Sequence, residues 1–149
     1  MIKILFVCHG NICRSPMAEF VLKDMVKKRG VSHLFDIQSM ATSFEEIGND
    51  IHPGTKNILY KNNIPFEKRS ARRISKNDYE NFDRLICMDE NNIRNLMRII
   101  ESDPENKVSK LLDLTTKEDV KDPWFTGNFE ETYRDVVAGC NALLESLNM

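Results

Sequence analysis

The sequence predicts a single α/β domain built around a parallel β-sheet. Its 149 residues match the usual length of one domain. Short apolar runs alternate with segments whose apolar residues recur at helical spacing, which is the pattern of strand–helix–strand units. Hydrophobic residues make up 41% of the chain and charged residues 30%, as in ordinary soluble globular proteins. We therefore expect residues 1–149 to form one domain in which helices flank the sheet.

The chain opens with a strand, a loop and a helix. Residues 2–7 are an apolar run that ends at a glycine-containing turn, as expected for a buried parallel strand. In the helix that follows, Ser15 is the predicted N-cap and Pro16 the first helical residue, because these residue types favour those positions. Gly30 is expected to end the helix.

The rest of the chain continues this alternation. The pattern predicts a strand at 34–39, a loop at 40–53, a helix from Pro53 to about Asn62, a strand at 82–88, a helix at 89–100, a strand at 108–114 and a helix at 128–147. Asp89 and Asn128 are suited to cap the helices that they begin. Since ligands of such folds bind beyond the carboxyl ends of the strands, the loop after the first strand is the first candidate site.

Composition and charge exclude several classes of protein. The 21 basic and 23 acidic residues give a net charge of -2, whereas nucleic-acid binding selects a basic excess. The N-terminal apolar run is too short for a signal peptide or a membrane helix, so we expect no membrane partner. The four cysteines fit neither a disulfide-rich scaffold nor a CxxC zinc pattern, which predicts reduced thiols in a cytoplasmic protein. The histidines lack metal-ligand spacing, so no metal is expected.

The loop after the first strand has the spacing of an anion site. Cys8 and Arg14 are separated by five residues and followed by Ser15, which gives the pattern C-x5-R-S. A loop of this length can point successive backbone N–H groups inward, and the helix N-terminus adds positive potential. We call residues 8–14 the anion loop.

The residue types in the anion loop favour covalent chemistry on phosphate. Gly10 and Asn11 suit tight and left-handed backbone positions. The guanidinium of Arg14 matches two oxygens of a phosphate. Cys8 lies beneath the anion, where the field that binds phosphate also stabilises a thiolate, and Ser15 can donate a hydrogen bond to the sulfur. The nucleotide P-loop pattern G-x4-G-K-[ST] is missing, and a nucleophile stands in its place.

Asp122 is the candidate general acid for a phosphate ester with a poor leaving group. Pro123 favours extended geometry at Asp122 and stiffens the loop. Trp124 and Phe125 are large aromatic residues in a polar stretch, so we expect them to wall a pocket and to favour the protonated carboxyl. The alternative is that Asp122 is only a turn residue above a small hydrophobic cluster. Because Cys8 and Arg14 already indicate a phosphate site, we favour the role of general acid.

With these residues in place, the sequence resembles the low molecular weight protein tyrosine phosphatases. The resemblance rests on VCHGNICRSPMAE at 7–19, SMATS at 39–43, ICMDENN at 86–92 and DPW at 122–124, in the order that the family has them. It implies a phosphotyrosine phosphatase I-like fold whose four parallel strands lie in the order 2-1-3-4. It also implies a phosphatase without cofactors that hydrolyses phosphotyrosine proteins or small aryl phosphates through a cysteinyl-phosphate, as a monomer or with weak self-association.

The resemblance also implies a role for each matching residue. Cys8 is the nucleophile, Arg14 grips the phosphate, and Asp122 acts first as acid and then as base. The phosphate-binding loop and its support comprise His9, Gly10, Asn11, Ile12, Cys13, Ser15 and Ser39. The walls of the substrate pocket comprise Glu45, Trp124 and Phe125.

The chain departs from the family pattern in three places. Glu45, followed by Glu46, stands where many members carry an aromatic residue, which gives the pocket an acidic rim. Trp124 and Phe125 replace two tyrosines, so phosphorylation of that pair is chemically impossible. Arg69 replaces a histidine that supports the loop in many members, which puts that contact in doubt.

The cysteines divide by position. We expect Cys87, in a strand, and Cys140, on a helical core stripe, to be buried and inert. Cys13 shares the anion loop with Cys8, and we hypothesise that oxidation joins the two in a reversible disulfide.

Three other functions remain open at this point. A thiol-coupled arsenate reductase shares the loop but needs two further redox cysteines. A protein arginine phosphatase can use the same scaffold. A non-catalytic phosphate-binding module needs neither Cys8 nor Asp122.

Overall fold

The computed structural model describes all 149 residues and is organised around a four-stranded parallel sheet. The strands are β1 (Ile2–Cys8), β2 (Phe35–Ala41), β3 (Arg84–Cys87) and β4 (Val108–Lys110). All pairings are parallel and the spatial order is β2-β1-β3-β4. The predicted α/β class and the strand order are confirmed.

Helices connect the strands. They are α1 (Arg14–Lys28), α2 (Pro53–Lys61), α3 (Asp78–Asn81), α4 (Glu90–Ile100), α5 (Pro123–Thr126) and α6 (Phe129–Ser146), with 3-10 turns at Ser32–Leu34 and Leu111–Leu114. The sequence pattern located the four longer helices and missed α3 and α5. No helix has both the length and the apolar character needed to cross a membrane.

Strand β1 is buried on both faces, which explains its continuous apolar run. Ile4 and Phe6 belong to a core cluster with residues of α1, α2 and α6. Leu5 and Val7, which alternate with them, belong to a second cluster with residues of α3 and α4. The sheet therefore separates two cores, and its central strand ends at Cys8.

For α1, the predicted N-cap is wrong and the predicted C-terminal end is confirmed. The helix begins at Arg14, and Cys13 is its N-cap without a side-chain hydrogen bond, so the prediction of Ser15 as N-cap is wrong. The hydroxyl of Ser15 is engaged instead with the Cys8 sulfur and the Asn11 amide. At the other end, Gly30 adopts φ +72° and the N–H of Val31 donates to Val26, as predicted for a glycine-terminated helix.

Strand β4 is shorter than predicted. It ends at Lys110, and the next four residues form a 3-10 turn instead of continuing to 114. Leu111 and Leu112 are buried in the core cluster that contains α6. Contact with α6 is so close that a Cβ on Gly139 would lie 2.4 Å from Leu111 Cγ. The chain therefore turns to bury these leucines against α6.

Side-chain caps fix the starts of α4 and α6. The Asp89 carboxylate accepts the Asn92 N–H at 2.8 Å, and the Asn128 side chain accepts the Glu131 N–H at 3.0 Å. Both predicted caps are confirmed. Because Asp89 follows β3, its cap also places this carboxylate at the same edge of the sheet as the end of β1.

Candidate active site

A cavity of about 250 Å³ opens at the carboxyl end of β1. The anion loop, the loop after β2 and the start of α5 form its walls. It is lined by Cys8, His9, Gly10, Ile12, Cys13, Arg14, Glu45, Glu46, Asp122, Trp124 and Phe125. The structure thus brings together all the residues predicted for catalysis and for the pocket walls. Asn11, Ser15 and Ser39 are buried and support the loop through hydrogen bonds.

The sulfur of Cys8 lies within reach of two hydrogen-bond donors. It accepts the backbone N–H of Asn11 at 3.3 Å and lies 3.0 Å from the Ser15 hydroxyl oxygen. Asn11 has φ 58°, the left-handed geometry that the sequence predicted. Donors aimed at a sulfur stabilise its anionic form.

A directed chain of hydrogen bonds holds the Ser15 hydroxyl in place. The Asn11 amide NH₂ donates to Ser15 Oγ at 2.8 Å and to Ser39 Oγ at 2.9 Å. Ser39 in turn donates to the Glu19 carboxylate at 2.6 Å, which Lys23 also contacts at 2.6 Å. Since Ser15 accepts from Asn11, its own proton is free to point at the sulfur.

Arg14 is almost completely buried and is held by groups from distant parts of the chain. Its Nη1 donates to Asp89 Oδ2 at 2.6 Å and to the Val120 carbonyl at 2.9 Å, while Nη2 lies 3.4 Å from Asp122 Oδ2. Burial acts to lower the pKa of Arg14, but the negative charges of Cys8, Asp89 and Asp122 outweigh it and raise that pKa. The guanidinium is therefore a fixed cation beside the sulfur.

Asp122 lies at the N-terminus of α5, a short helix that the sequence analysis missed. One carboxylate oxygen accepts the Trp124 N–H at 3.0 Å, and the other faces Arg14. Its side chain keeps 23% of its exposure, so it is partly desolvated and still open to the cavity. The rings of Trp124 and Phe125 remain exposed on the outer side of the cavity.

The rim of the cavity is acidic. His9 Nε2 and Glu45 Oε2 lie 2.9 Å apart across it, and Glu46 accepts from the Asn49 amide at 2.6 Å. The exposed ring of Phe44 stands beside these glutamates, with the Arg73 guanidinium 4.2 Å from its centroid.

Arg69 supports the back of the anion loop. Its Nη2 donates to the Asn11 carbonyl and its Nη1 donates to the Asn49 carbonyl at 3.2 Å. Burial lowers the pKa of Arg69 against the opposing effect of nearby Glu19 and Cys8. The contact that was in doubt is therefore made, through a guanidinium and the loop backbone.

The other three cysteines are buried. Burial, followed by the charge of Cys8, raises the pKa of the Cys13 thiol to about 12. Burial also raises the pKa of Cys87 and of Cys140, and both side chains are fully buried. All four thiols are free.

Glu19, Asp89 and the Val120 carbonyl are site partners that the sequence analysis did not assign. Asp89 carried a usable signal, because it follows a strand whose carboxyl end faces the site. Glu19 is four residues after Ser15 and so lies on the same face of α1. A backbone carbonyl such as that of Val120 leaves no signal in the sequence.

Known proteins match this chain over nearly its whole length. The sequence model of the family described as low molecular weight phosphotyrosine protein phosphatase matches residues 3–149. The low molecular weight protein-tyrosine-phosphatase YfkJ of Bacillus subtilis is 40% identical, over 99% of this chain and 96% of that protein. The Staphylococcus aureus phosphatase PtpA is 37% identical, over 97% of this chain and 93% of its own.

Solved structures agree with this match. The crystal structure of YfkJ superposes with a TM-score of 0.95 and covers 99% of this chain and 95% of that one. A Drosophila arginine phosphatase, 28% identical, superposes with a TM-score of 0.90 over 99% of both chains. The family model, the sequence identity over nearly the full length and the structural superposition agree. The chain therefore belongs to the low molecular weight phosphotyrosine protein phosphatase family.

Proposed function

We propose that this chain hydrolyses phosphotyrosine and related aryl phosphate monoesters through a cysteinyl-phosphate intermediate. The observation that carries the proposal is the Cys8 sulfur, held by the Asn11 N–H and the Ser15 hydroxyl in a cavity shared with Arg14 and Asp122. We propose that residues 1–149 act as one catalytic domain. A catalytic thiolate needs a reducing compartment, which supports a cytoplasmic location.

In the first step the phosphate dianion sits on the backbone N–H groups of the anion loop. Asp89 and Val120 hold Nη1 of Arg14, so the Nη2 side of the fork can turn to the phosphate oxygens. Cys8 attacks in line, the S–P bond forms, and the P–O bond to the aryl group breaks. Asp122 gives a proton to the leaving oxygen.

In the second step water attacks the cysteinyl-phosphate. Asp122, now ionised, takes a proton from the water, the S–P bond breaks, and inorganic phosphate leaves with the Cys8 thiolate restored. Charge on the equatorial oxygens is stabilised by the loop N–H groups and Arg14 in both steps.

The shape of the cavity supports an aryl substrate. The sulfur lies at the buried end of the cavity, and Trp124 and Phe125 lie at its mouth, so a long aromatic phosphate can reach the sulfur while its ring contacts the walls. The names of YfkJ and PtpA, both protein-tyrosine-phosphatases, also support this substrate class. The fold alone does not separate phosphotyrosine from phosphoarginine, since an arginine phosphatase shares it.

The burial of Cys87 and Cys140 argues against a thiol relay. Both lie in the hydrophobic core at 0% exposure, in β3 and α6. A sequential disulfide transfer would need them at the surface near Cys8. This disfavours an arsenate reductase.

A panel of phosphotyrosine, phosphoarginine and phosphoserine peptides tests the proposal. We expect the highest kcat/KM for phosphotyrosine. Cys8→Ser should still bind inorganic phosphate but show no turnover, while Asp122→Asn should lose most kcat/KM on esters with poor leaving groups. Substantial turnover by Cys8→Ser would overturn the nucleophile, and equal losses on all esters would overturn the acid. A preference for phosphoarginine would overturn the substrate class alone.

A further inference from the structure

His52 connects the anion loop with α2. It is the N-cap of α2, and its ring Nδ1 accepts the Gly54 N–H at 2.9 Å. Its backbone N–H donates to the Ile12 carbonyl at 2.9 Å, inside the anion loop. The backbone of His52 is therefore fixed relative to the loop that surrounds the sulfur.

The ring of His52 lies between α5 and α6. It stacks on Phe129, the first residue of α6, with the centroids 5.1 Å apart and an interplanar angle of 21°. It meets Trp124 of α5 edge to face, at 5.7 Å and 81°. One side chain thus contacts both α5, which Asp122 caps, and the start of α6, which follows it.

The position of this ring has little freedom. Phe129 packs so tightly on α2 that a Cβ on Gly54 would lie 2.4 Å from its ring. Phe129 also packs against the small cluster formed by Ile12, Cys13 and Ala71. Phe129 is therefore held in place by α2 and by the anion loop. It fixes the ring of His52 stacked on it, and Trp124 contacts that ring edge to face.

Val120 and Pro123, on either side of Asp122, are buried, whereas the two aromatic residues that follow Pro123 are largely exposed. Trp124 is 58% exposed and Phe125 83% exposed. The carboxylate bonds to its own helix and faces Arg14 at 3.4 Å, which is a long contact. The edge contact with His52 therefore holds the exposed face of α5, while Pro123 and Val120 hold its buried side.

We propose that His52 is a positioning residue for Asp122. Its ring holds Trp124, and hence the first turn of α5, in register with the anion loop to which its own backbone is bonded. The inference rests on the proposed function, in which Asp122 protonates the leaving oxygen. A displacement of about 1 Å can cost a reaction two orders of magnitude, so loss of the ring weakens proton transfer while the thiolate and Arg14 remain in place.

Two substitutions at His52 separate the aromatic contacts of its ring from the hydrogen bond that caps α2. His52→Asn keeps a side-chain acceptor for the Gly54 N–H and removes the ring. His52→Phe keeps a ring and removes the acceptor, so it should lower thermal stability more than it changes catalysis. His33→Asn, at an exposed position in the 3-10 turn Ser32–Leu34, is the matched control.

The decisive measurement is kcat/KM over a series of aryl phosphates with increasingly poor leaving groups. For His52→Asn we expect a loss of about tenfold on the poorest leaving group and less than about twofold on the best, because only the former depends on the acid. Trp124 is the single tryptophan, so its fluorescence should shift to the red as its ring loses contact. His33→Asn should match the unaltered protein in both measurements.

A double-mutant cycle makes the proposal falsifiable. In the Asp122→Asn background, His52→Asn should have no further effect on the leaving-group series. Additive losses, or an equal loss by His52→Asn on every ester, would overturn the positioning role. If His52→Asn does not fold, Phe129→Leu removes the stacking partner instead, and the same selective loss is expected from it.

The two proposals fail in different ways. If Asp122→Asn itself shows no dependence on the leaving group, the acid role in the proposed function is wrong. If Asp122→Asn shows that dependence and neither His52→Asn nor Phe129→Leu does, only the positioning role is wrong.

Discussion

The sulfur of Cys8 differs from the other thiols in what surrounds it. Two donors reach it, whereas Cys87 and Cys140 lie in hydrophobic core and their burial raises the pKa of each. The C-x5-R-S spacing was enough to single out Cys8, because it implies a loop whose N–H groups point inward. The hydrogen-bond chain behind Ser15 was not predictable in full, since Ser39 comes from another strand and Glu19 from a helix face.

Removing the Ser15 hydroxyl should slow the second chemical step most. In that step the Cys8 thiolate is the leaving group, and Ser15 donates to it directly. A hydrogen bond to a charged group contributes about 1.5–3 kcal/mol, which corresponds to roughly tenfold to hundredfold in rate. We therefore expect Ser15→Ala to show rapid release of the first p-nitrophenol followed by slow turnover in stopped-flow measurements. Slow turnover without such a burst would contradict this role.

Arg14→Lys should lose about a hundredfold or more in kcat/KM. An ammonium group cannot bond to Asp89 and Val120 while also gripping two phosphate oxygens, as the planar fork can. Arg94→Lys, at an exposed position on α4, is a suitable control and should retain its rate. Near-normal rates for a folded Arg14→Lys protein would remove Arg14 from the mechanism.

At the scale of secondary-structure elements, three predictions from the sequence were wrong or incomplete. Ser15 looked like an N-cap because local propensity favours serine there, but its hydroxyl bonds to the sulfur and to Asn11. Strand β4 stopped early because Leu111 packs against α6, a contact that the local pattern does not contain. Helix α5 is only four residues long, too short to show helical periodicity.

The anion loop as an element predicts a pH dependence of oxidation. In the hypothesised reaction, peroxide converts Cys8 to a sulfenic acid, and the Cys13 thiolate then attacks this sulfur to form a disulfide, with loss of hydroxide. Burial is the largest cause of the raised pKa of Cys13 and remains when Cys8 loses its charge on oxidation, so the thiolate fraction of Cys13 still rises about tenfold between pH 7 and pH 8. Disulfide formation should therefore be faster at pH 8 than at pH 7 by close to that factor, as measured by mass spectrometry after alkylation. A Cys8 sulfinic acid without an intraloop disulfide would contradict the hypothesis.

At the scale of the whole molecule, the fold gathers groups that are far apart in sequence. The contacts of Arg14 with Asp89, Val120 and Asp122 span 75, 106 and 108 positions. Parallel strands make this possible, because the carboxyl ends of β1 and β3 lie at one edge. The alternating pattern predicted that edge, but the partners themselves depend on loops whose paths only the folded chain shows.

The acidic rim should select substrates by charge. Glu45 and Glu46 line the mouth of the cavity, and no lysine lines it. A basic residue beside the phosphotyrosine would face these carboxylates, and exposed pairs of this kind change binding by about two- to fivefold each. We therefore expect kcat/KM to be higher for phosphotyrosine peptides with flanking lysines than for those with flanking glutamates, and the difference to shrink as salt is added.

The double substitution Glu45→Gln and Glu46→Gln should reduce this preference, whereas Glu145→Gln, at the far end of α6, should leave it intact. A preference that is indifferent to salt and to both rim substitutions would show that the rim does not select the substrate.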